Sequence, residues 1–138
     1  MKKSVFSLAA IAVLFVALVN FTSCEKDEGK LPNISFKTGA GYTAADKTVN
    51  SGDTVMVGIN ASKSEGEDVL KTLNISKSVD NGASTTVQNV TIPTSQEDSY
   101  SGDFNLVAGA AGHTEKYSFT VTNRDGLTNT VSLTLTVQ

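Results

Sequence analysis

The sequence predicts an all-β domain built from two stacked antiparallel sheets of seven to eight strands. From residue 32 onward the chain is rich in Thr, Ser, Val, Asn and Gly, a composition that favours strands and turns. Apolar and polar residues alternate with a period of two in several short runs, which is typical of half-buried strands. Turn-forming clusters separate the runs, and no stretch has a helical period. One closed eight-stranded barrel is the alternative, because the same alternation fits both architectures.

The first half of the domain contains four predicted strands, each bounded by turn-forming residues. The four runs are residues 33–37, 42–49, 54–60 and 69–77. The second run is the weakest, and the turn cluster Asn50-Ser-Gly-Asp53 ends it. The inward-facing residues expected in the third and fourth runs are Val55, Val57, Ile59, Leu73 and Ile75.

The second half contains the clearest strands, over residues 85–92, 99–108, 117–122 and 131–137. Asp80-Asn81-Gly82 is a strong hairpin signal before the first of them. The last two runs flank the turn Asn123-Arg-Asp-Gly126. We expect these two runs to pair antiparallel with their apolar side chains on one face.

The N-terminal segment has a different character from the domain. Lys2 and Lys3 precede the 15-residue apolar run 5–19, and Cys24 follows closely. This run is short for a transmembrane helix, which needs about 20 apolar residues. The segment resembles a bacterial lipoprotein signal peptide, although Phe21 stands where that family usually has leucine. The resemblance implies cleavage before Cys24 and lipidation of that cysteine. An uncleaved membrane anchor is the alternative.

The residues after Cys24 resemble the export signal of surface lipoproteins in Bacteroidetes. The match rests on Lys26, Asp27 and Glu28, and a plain charged tether is the alternative. It implies a protein anchored to the outer membrane by lipid and displayed on the cell surface, since two or more fatty-acid chains give stable anchoring. The predicted organisation is a signal peptide at 1–23, a lipidated cysteine with an acidic tether at 24–31, and a domain at 32–138.

The last hairpin carries a second resemblance. Residues 115–137 look like the C-terminal hairpin of bacterial immunoglobulin-like domains of the PKD and cadherin-like kind. Tyr117 lies two positions before Phe119, where immunoglobulin domains have a tyrosine two positions before a core cysteine. The chain departs from that family in having phenylalanine instead of the cysteine and no tryptophan. The resemblance implies an immunoglobulin-like β-sandwich.

Charge and cysteine content narrow the function classes. The formal net charge of the whole chain is −3. Removal of Lys2 and Lys3 leaves nine of eleven basic residues against all fourteen acidic ones, a net charge of −5. No basic patch is present in the sequence, so we expect no nucleic-acid partner. Because Cys24 is the single cysteine, the chain can form no internal disulfide.

The sequence offers little for catalysis, and we predict no enzyme, no catalytic residue, no cofactor and no metal site. His113, the single histidine, lies in a Gly- and Ala-rich loop beside Glu115, and a catalytic dyad with Ser118 can be imagined. A solvated loop histidine is the preferred interpretation, because the sequence does not assemble a nucleophile, a base and an orienting group. No loop has the spacing of a calcium cradle. The acidic residues considered for calcium are Glu65, Glu67, Asp68, Asp98, Asp103 and Asp125.

Binding is therefore the predicted role: a membrane-anchored binding or accessory module for a glycan or an envelope protein. Tyr42 and Tyr100 are the candidate ligand-binding residues, because glycan sites usually present aromatic side chains. Asp53-Thr54-Val55 resembles the O-glycosylation triplet of Bacteroidetes, which makes Thr54 a candidate acceptor. The alternative is a structural or adhesive subunit that assembles through sheet edges by exchanging its last strand, residues 127–138.

Overall fold

A computed structural model describes residues 29–138 and contains eight strands and one short 3₁₀ turn, Thr94–Gln96. The all-β prediction is confirmed. In chain order the strands are β1 (Asn33–Phe36), β2 (Lys47–Val49), β3 (Thr54–Ser62), β4 (Leu70–Val79), β5 (Thr85–Thr91), β6 (Ser99–Val107), β7 (Thr114–Asn123) and β8 (Thr128–Val137).

The strands form two hydrogen-bonded sheets. One has the order β1-β3-β6 and the other the order β2-β8-β7-β4-β5. The expectation of purely antiparallel sheets is wrong at one position, because β2 pairs parallel with the end of β8. Residues 37–46 cross from the three-stranded sheet to the five-stranded sheet. They place β2 at the edge of the second sheet, beside β8 and running in the same direction.

The crossing segment also corrects the predicted strand at residues 42–49. Only β2 forms a strand there, and Tyr42 makes an isolated bridge to Met56. Gly39 and Gly41 have positive φ angles of 122° and 92°, which turn the chain away from an extended path. A segment that passes between two sheets has no neighbouring strand over most of its length.

The core lies between the two sheets and is centred on Phe119 of β7, which is fully buried. Its ring centroid lies 5.8 Å from that of Phe36 in β1 and 6.0 Å from that of Phe104 in β6. The predicted antiparallel pairing of the last two strands is confirmed, with Phe119 opposite Val131. The predicted inward residues Val55, Val57, Ile59, Leu73 and Ile75 are all buried.

The loops gather at two opposite ends of the domain. The N-terminal end carries Pro32 and the loops 63–69, 92–98 and 124–127, which are joined by hydrogen bonds such as Leu70 N to Glu97 O. The C-terminal end carries Gln138 and the turns 50–53, 80–84 and 108–113, joined by bonds such as Gly52 N to Ala108 O. Strands of nine and ten residues separate the two ends.

Several predictions concern residues outside the described range. They are the signal peptide 1–23, the lipidation site Cys24 and the export residues Lys26, Asp27 and Glu28. Within residues 29–138, no helix has the length and apolar character needed to cross a membrane.

Candidate functional site

Tyr42 belongs to a small polar patch on the three-stranded sheet, which we call the Tyr42 patch; its other members are Lys37, Gly58 and Asp103. The Lys37 Nζ atom lies 2.7 Å from Asp103 Oδ1 and 5.7 Å from the centroid of the Tyr42 ring. The hydrogen bond from Lys37, with a smaller contribution from the Tyr42 hydroxyl, lowers the pKa of Asp103 below its ordinary value. The patch therefore combines a half-buried aromatic ring with a fixed cation and a carboxylate.

Gly58 makes this arrangement possible. It lies in β3 directly opposite Asp103 of β6. A Cβ atom at this position would be 2.5 Å from Cδ of Lys37 and 2.7 Å from Cε1 of Tyr42. Because glycine has no side chain, the lysine stem and the tyrosine ring can lie directly against the sheet.

Tyr100, the second candidate ligand-binding residue, is only 7% exposed. It packs over Gly102, two residues along β6, where an added Cβ would be 2.9 Å from its Cζ atom. Burial raises the pKa of the Tyr100 hydroxyl, and the charges of Lys37 and Asp103 act on it in opposite directions. Both tyrosines therefore interact with the Lys37–Asp103 ion pair, but only the ring of Tyr42 is accessible to a ligand.

Thr54, the candidate glycosylation site, is exposed at the C-terminal end of the domain. It lines an open depression of about 220 Å³ whose walls include Lys47, Asn50 and Gln138. The neighbouring Asp53 carboxylate accepts hydrogen bonds from the backbone N and the side-chain Nδ2 of Asn50, at 2.8 and 3.2 Å. Thr54 therefore begins β3 directly after a hydrogen-bonded turn, and it is exposed to solvent.

A buried charged cluster lies at the same end of the core, between the sheets. Lys77 Nζ lies 2.7 Å from Glu115 Oε1, and the Tyr117 hydroxyl donates to Glu115 Oε2 at 3.1 Å. Glu115 is only 2% exposed. Gly109 closes the cluster, because a Cβ there would lie within contact distance of the same carboxylate. Tyr117, the tyrosine two positions before Phe119, therefore donates its hydrogen bond to the carboxylate of Glu115.

Sequence reasoning missed this cluster, although a signal was present. Glu115 continues the inward alternation of Tyr117 and Phe119, and Lys77 continues that of Leu73 and Ile75. Burial raises the pKa of Glu115, but hydrogen bonds from Lys77, Tyr117 and the Gly109 backbone outweigh it, so the pKa lies below its ordinary value. The bond to Glu115 raises the pKa of Lys77 against the opposing effect of burial. Charge pairing thus outweighs desolvation at both partners.

His113 pairs with Asp80, which the sequence did not indicate, and not with Ser118. Its Nδ1 atom lies 2.6 Å from Asp80 Oδ2, and Thr114 N donates to Asp80 Oδ1 at 2.8 Å. The Thr114 backbone bond first, and His113 second, lower the pKa of Asp80. Ser118 lies on the opposite face of β7 from Tyr117 and Phe119.

The acidic residues considered for calcium are dispersed and already bonded in several cases. Asp68 is buried and accepts from the Asn123 side chain and from Val69 N, which joins the start of β4 to the β7–β8 turn. Asp98 pairs with Lys63 at 2.7 Å. In the part of the chain from 29 to 138, no three His, Cys, Asp or Glu side chains converge in a way that could hold a metal ion.

Comparison with known proteins adds a likeness of fold. No protein-family model and no curated protein matches the chain. The chain is similar to a variant of superoxide reductase (neelaredoxin) from Ignicoccus hospitalis, with a TM-score of 0.55, 12% identity, and coverage of 84% of this chain and 86% of that one. A second structure of superoxide reductase from Ignicoccus hospitalis has a TM-score of 0.52 and 10% identity, and covers 79% of this chain and 81% of that one.

This likeness corrects the prediction that the chain is not an enzyme. The prediction rests on the sequence alone, in which no nucleophile–base pair is evident, and it therefore assigns the domain a binding role. Superoxide reductases, by their name, are enzymes, and they have a similar fold. At identities of 10–12% the likeness shows the fold alone, and it assigns no reaction to this chain.

Proposed function

We propose that this protein is a lipid-anchored protein of the bacterial outer membrane, exposed at the cell surface, whose domain binds a glycan or another envelope protein. The observation that carries the proposal is the position of Cys24, directly after a short apolar run with lysines before it and acidic residues after it. Two or more fatty-acid chains on this residue would make the anchoring stable. Residues 26–28 would direct the protein to the outer face.

The fold proposed for the domain is an immunoglobulin-like sandwich. What supports it is the neighbour order of the strands, β1-β3-β6 in one sheet and β8-β7-β4 in the other. In immunoglobulin domains the first, second and fifth strands share one sheet, and the third, sixth and seventh share the other. If the short β2 is set aside as an extension of the first strand, six of the seven remaining strands are distributed between the sheets in the same way. The fourth strand, β5, differs from the seven-strand immunoglobulin order, because it pairs with β4 in the second sheet. In such a sandwich the buried Phe119 would take the place of the usual core cysteine.

The Tyr42 patch is the proposed contact surface for the ligand. An aromatic ring beside a fixed cation and carboxylate offers an apolar face together with hydrogen-bonding groups, which is the combination that a hydroxyl-rich ligand uses. The ion pair between Lys37 and Asp103 is preorganised at 2.7 Å, so little ordering accompanies binding.

Replacing Cys24 with serine is expected to release the protein from membranes, because no lipid can then be attached. Cell fractionation and intact-mass measurement check this. Thr22→Ser is the matched control, since it keeps a small residue before the cleavage site and should leave the membrane association unchanged. If Cys24→Ser remains with the membranes, the apolar run is an uncleaved anchor. Protease treatment of intact cells tests display separately.

Tyr42→Ala is expected to weaken ligand binding by at least about tenfold, equivalent to about 1.4 kcal/mol. The measurement is binding of residues 25–138 to an array of glycans and to purified envelope proteins. Tyr42→Phe separates the ring from its hydroxyl, and Thr86→Ala on the other sheet is the control. Unchanged binding by Tyr42→Ala would show that the contact surface lies elsewhere on the domain. An array on which no glycan is bound would contradict the proposal that the ligand is a glycan.

A second candidate function, assembly through sheet edges, is supported by β5 and not by the last strand. β5 is an edge strand of seven residues, without charge or proline, and six of the seven are exposed. Edges of this kind are open to pairing with another chain. The last strand, β8, is paired with β7 along its length and with β2 at Leu135–Val137, which leaves it less available for exchange.

Edge assembly predicts that residues 25–138 associate at high concentration and that Val87→Lys abolishes the association. Val87 is 53% exposed in the middle of β5, and a lysine at an edge opposes pairing. Light scattering over a concentration series gives the mass. A native protein that remains a monomer throughout would rule out this function. Val107→Lys, at an exposed site on the other sheet, is the control.

A further inference from the structure

Residues 29–32 are attached to the N-terminal end of the domain. The Ser64 hydroxyl donates to the Leu31 carbonyl at 2.6 Å, and the Asn129 side chain donates to the Pro32 carbonyl at 2.9 Å. Lys30 N donates to Glu65 Oε2 at 3.3 Å. Pro32 itself is fully buried. The folded unit therefore includes residues that the sequence assigns to the tether.

This attachment shortens the connection to Cys24. Four residues separate Cys24 from Gly29 in the sequence. Five Cα–Cα steps span at most about 18 Å, even when the chain is fully extended. The connection is short compared with the domain, because the ten-residue strands β7 and β8 are about 33 Å long at 3.3 Å per residue.

We propose that the domain stands on the membrane with its N-terminal end inward and its C-terminal end outward. The proposal rests on the proposed lipidation of Cys24. Turning the domain over would bring the C-terminal end to the membrane and raise the attachment point to about 33 Å, which a connection of about 18 Å cannot span. These two lengths exclude the inverted orientation, and they do so on either face of the outer membrane.

The orientation identifies the surface that meets a partner. The C-terminal end presents the Asp80–His113 pair, the Thr54 depression and Gln138 away from the membrane. The loops at the N-terminal end are held near the membrane by a connection of at most about 18 Å. The surfaces left open to a partner are the C-terminal end and the outer faces of the sheets.

Single cysteines at the two ends test the orientation in the full-length lipidated protein. Gly66→Cys lies at the N-terminal end, where an added Cβ meets nothing within 4 Å. Ala111→Cys is exposed at the C-terminal end. Each variant is labelled with a thiol-reactive fluorophore and reconstituted into phosphatidylcholine vesicles that contain a headgroup-attached quencher. The protein without an added cysteine is the labelling control, since its Cys24 is modified.

The expected result is quenching at least about threefold stronger at Gly66→Cys than at Ala111→Cys. Inserting ten Gly and Ser residues between Glu28 and Gly29 adds a reach of more than about 30 Å, and it should remove most of the difference. Equal quenching at both sites with the native connection, or stronger quenching at Ala111→Cys, overturns the orientation. Protein that does not float with the vesicles and lacks lipid by mass overturns the proposed anchoring instead, and with it the basis of the orientation.

Discussion

Replacing Phe119 with alanine is expected to lower the free energy of unfolding by about 3–5 kcal/mol, the usual cost of truncating a buried phenylalanine. Phe119 is fully buried and contacts the rings of Phe36 and Phe104 in the opposite sheet. Its loss leaves a cavity between the sheets, which strands cannot fill by local adjustment. Urea denaturation of residues 25–138 should give a midpoint lower by about 2 M.

A graded series keeps this prediction testable if the alanine variant does not fold. Phe119→Leu retains most of the volume and should cost about 1–2 kcal/mol. Val87→Ala truncates an exposed side chain and should change the stability by less than about 0.5 kcal/mol. Equal effects of Phe119→Ala and Val87→Ala would show that the interface between the sheets does not stabilise the domain.

The second large effect is expected from Lys77→Met, which removes the cation beside the buried Glu115. The methionine fills a similar volume, so the main consequence is an unpaired carboxylate inside the core. We expect a loss of about 2–3 kcal/mol at pH 7, below the full cost of breaking a buried pair, because the lysine side chain is 27% exposed. Lys71→Met removes an ion pair with Glu97 whose lysine is 45% exposed, and it should cost at most about 1 kcal/mol.

The pH dependence gives this prediction a second readout. In the native protein the pKa of Glu115 is lowered, so its stabilising contribution is present above the pKa of the unfolded chain and is lost as pH falls through the folded pKa. The pKa of Lys77 is raised, so its contribution is present below the pKa of the unfolded chain and is lost as pH rises through the folded value. In Lys77→Met, the lysine no longer opposes the effect of burial, which disfavours the charged form of Glu115. Protonation of this carboxylate then removes the cost of an unpaired charge in the core.

The difference in stability between the native protein and Lys77→Met should therefore narrow as pH falls from 7 toward the ordinary glutamate pKa of about 4.3. Urea titrations at several pH values measure it. A difference that stays constant over this interval would show that the lost free energy comes from packing and not from the charge of Glu115.

Local patterns predicted most of the strands correctly, for a simple physical reason. Alternation reports which side chains face the core, and the β7–β8 hairpin needs only adjacent residues and the Gly126 turn to form. The same reasoning failed for residues 42–49, because a segment that crosses between sheets is shaped by both sheets and not by its own sequence. The parallel pairing of β2 with β8 has the same origin.

The candidate site depended even more on long-range contacts. Tyr42 and Tyr100 were identified singly, by residue type. Their common neighbours Lys37 and Asp103 are 66 positions apart in the chain. They meet only because β1, which Lys37 follows, and β6, which contains Asp103, pair with β3 from its two sides. The exclusion of an enzyme failed because a missing sequence motif does not determine what a fold can carry, as the superoxide reductases of similar fold illustrate.

The sequence by itself determined the all-β class, most strand positions and the inward residues, because burial imposes a period of two on neighbouring residues. It also predicts the membrane anchor, since that signal is read along a continuous segment. Only the tertiary structure decided the sheet order, the Lys77–Glu115–Tyr117 cluster, the Tyr42 patch and the attachment of residues 29–32. Each of these depends on contacts between distant positions, and no local pattern specifies which distant side chains meet.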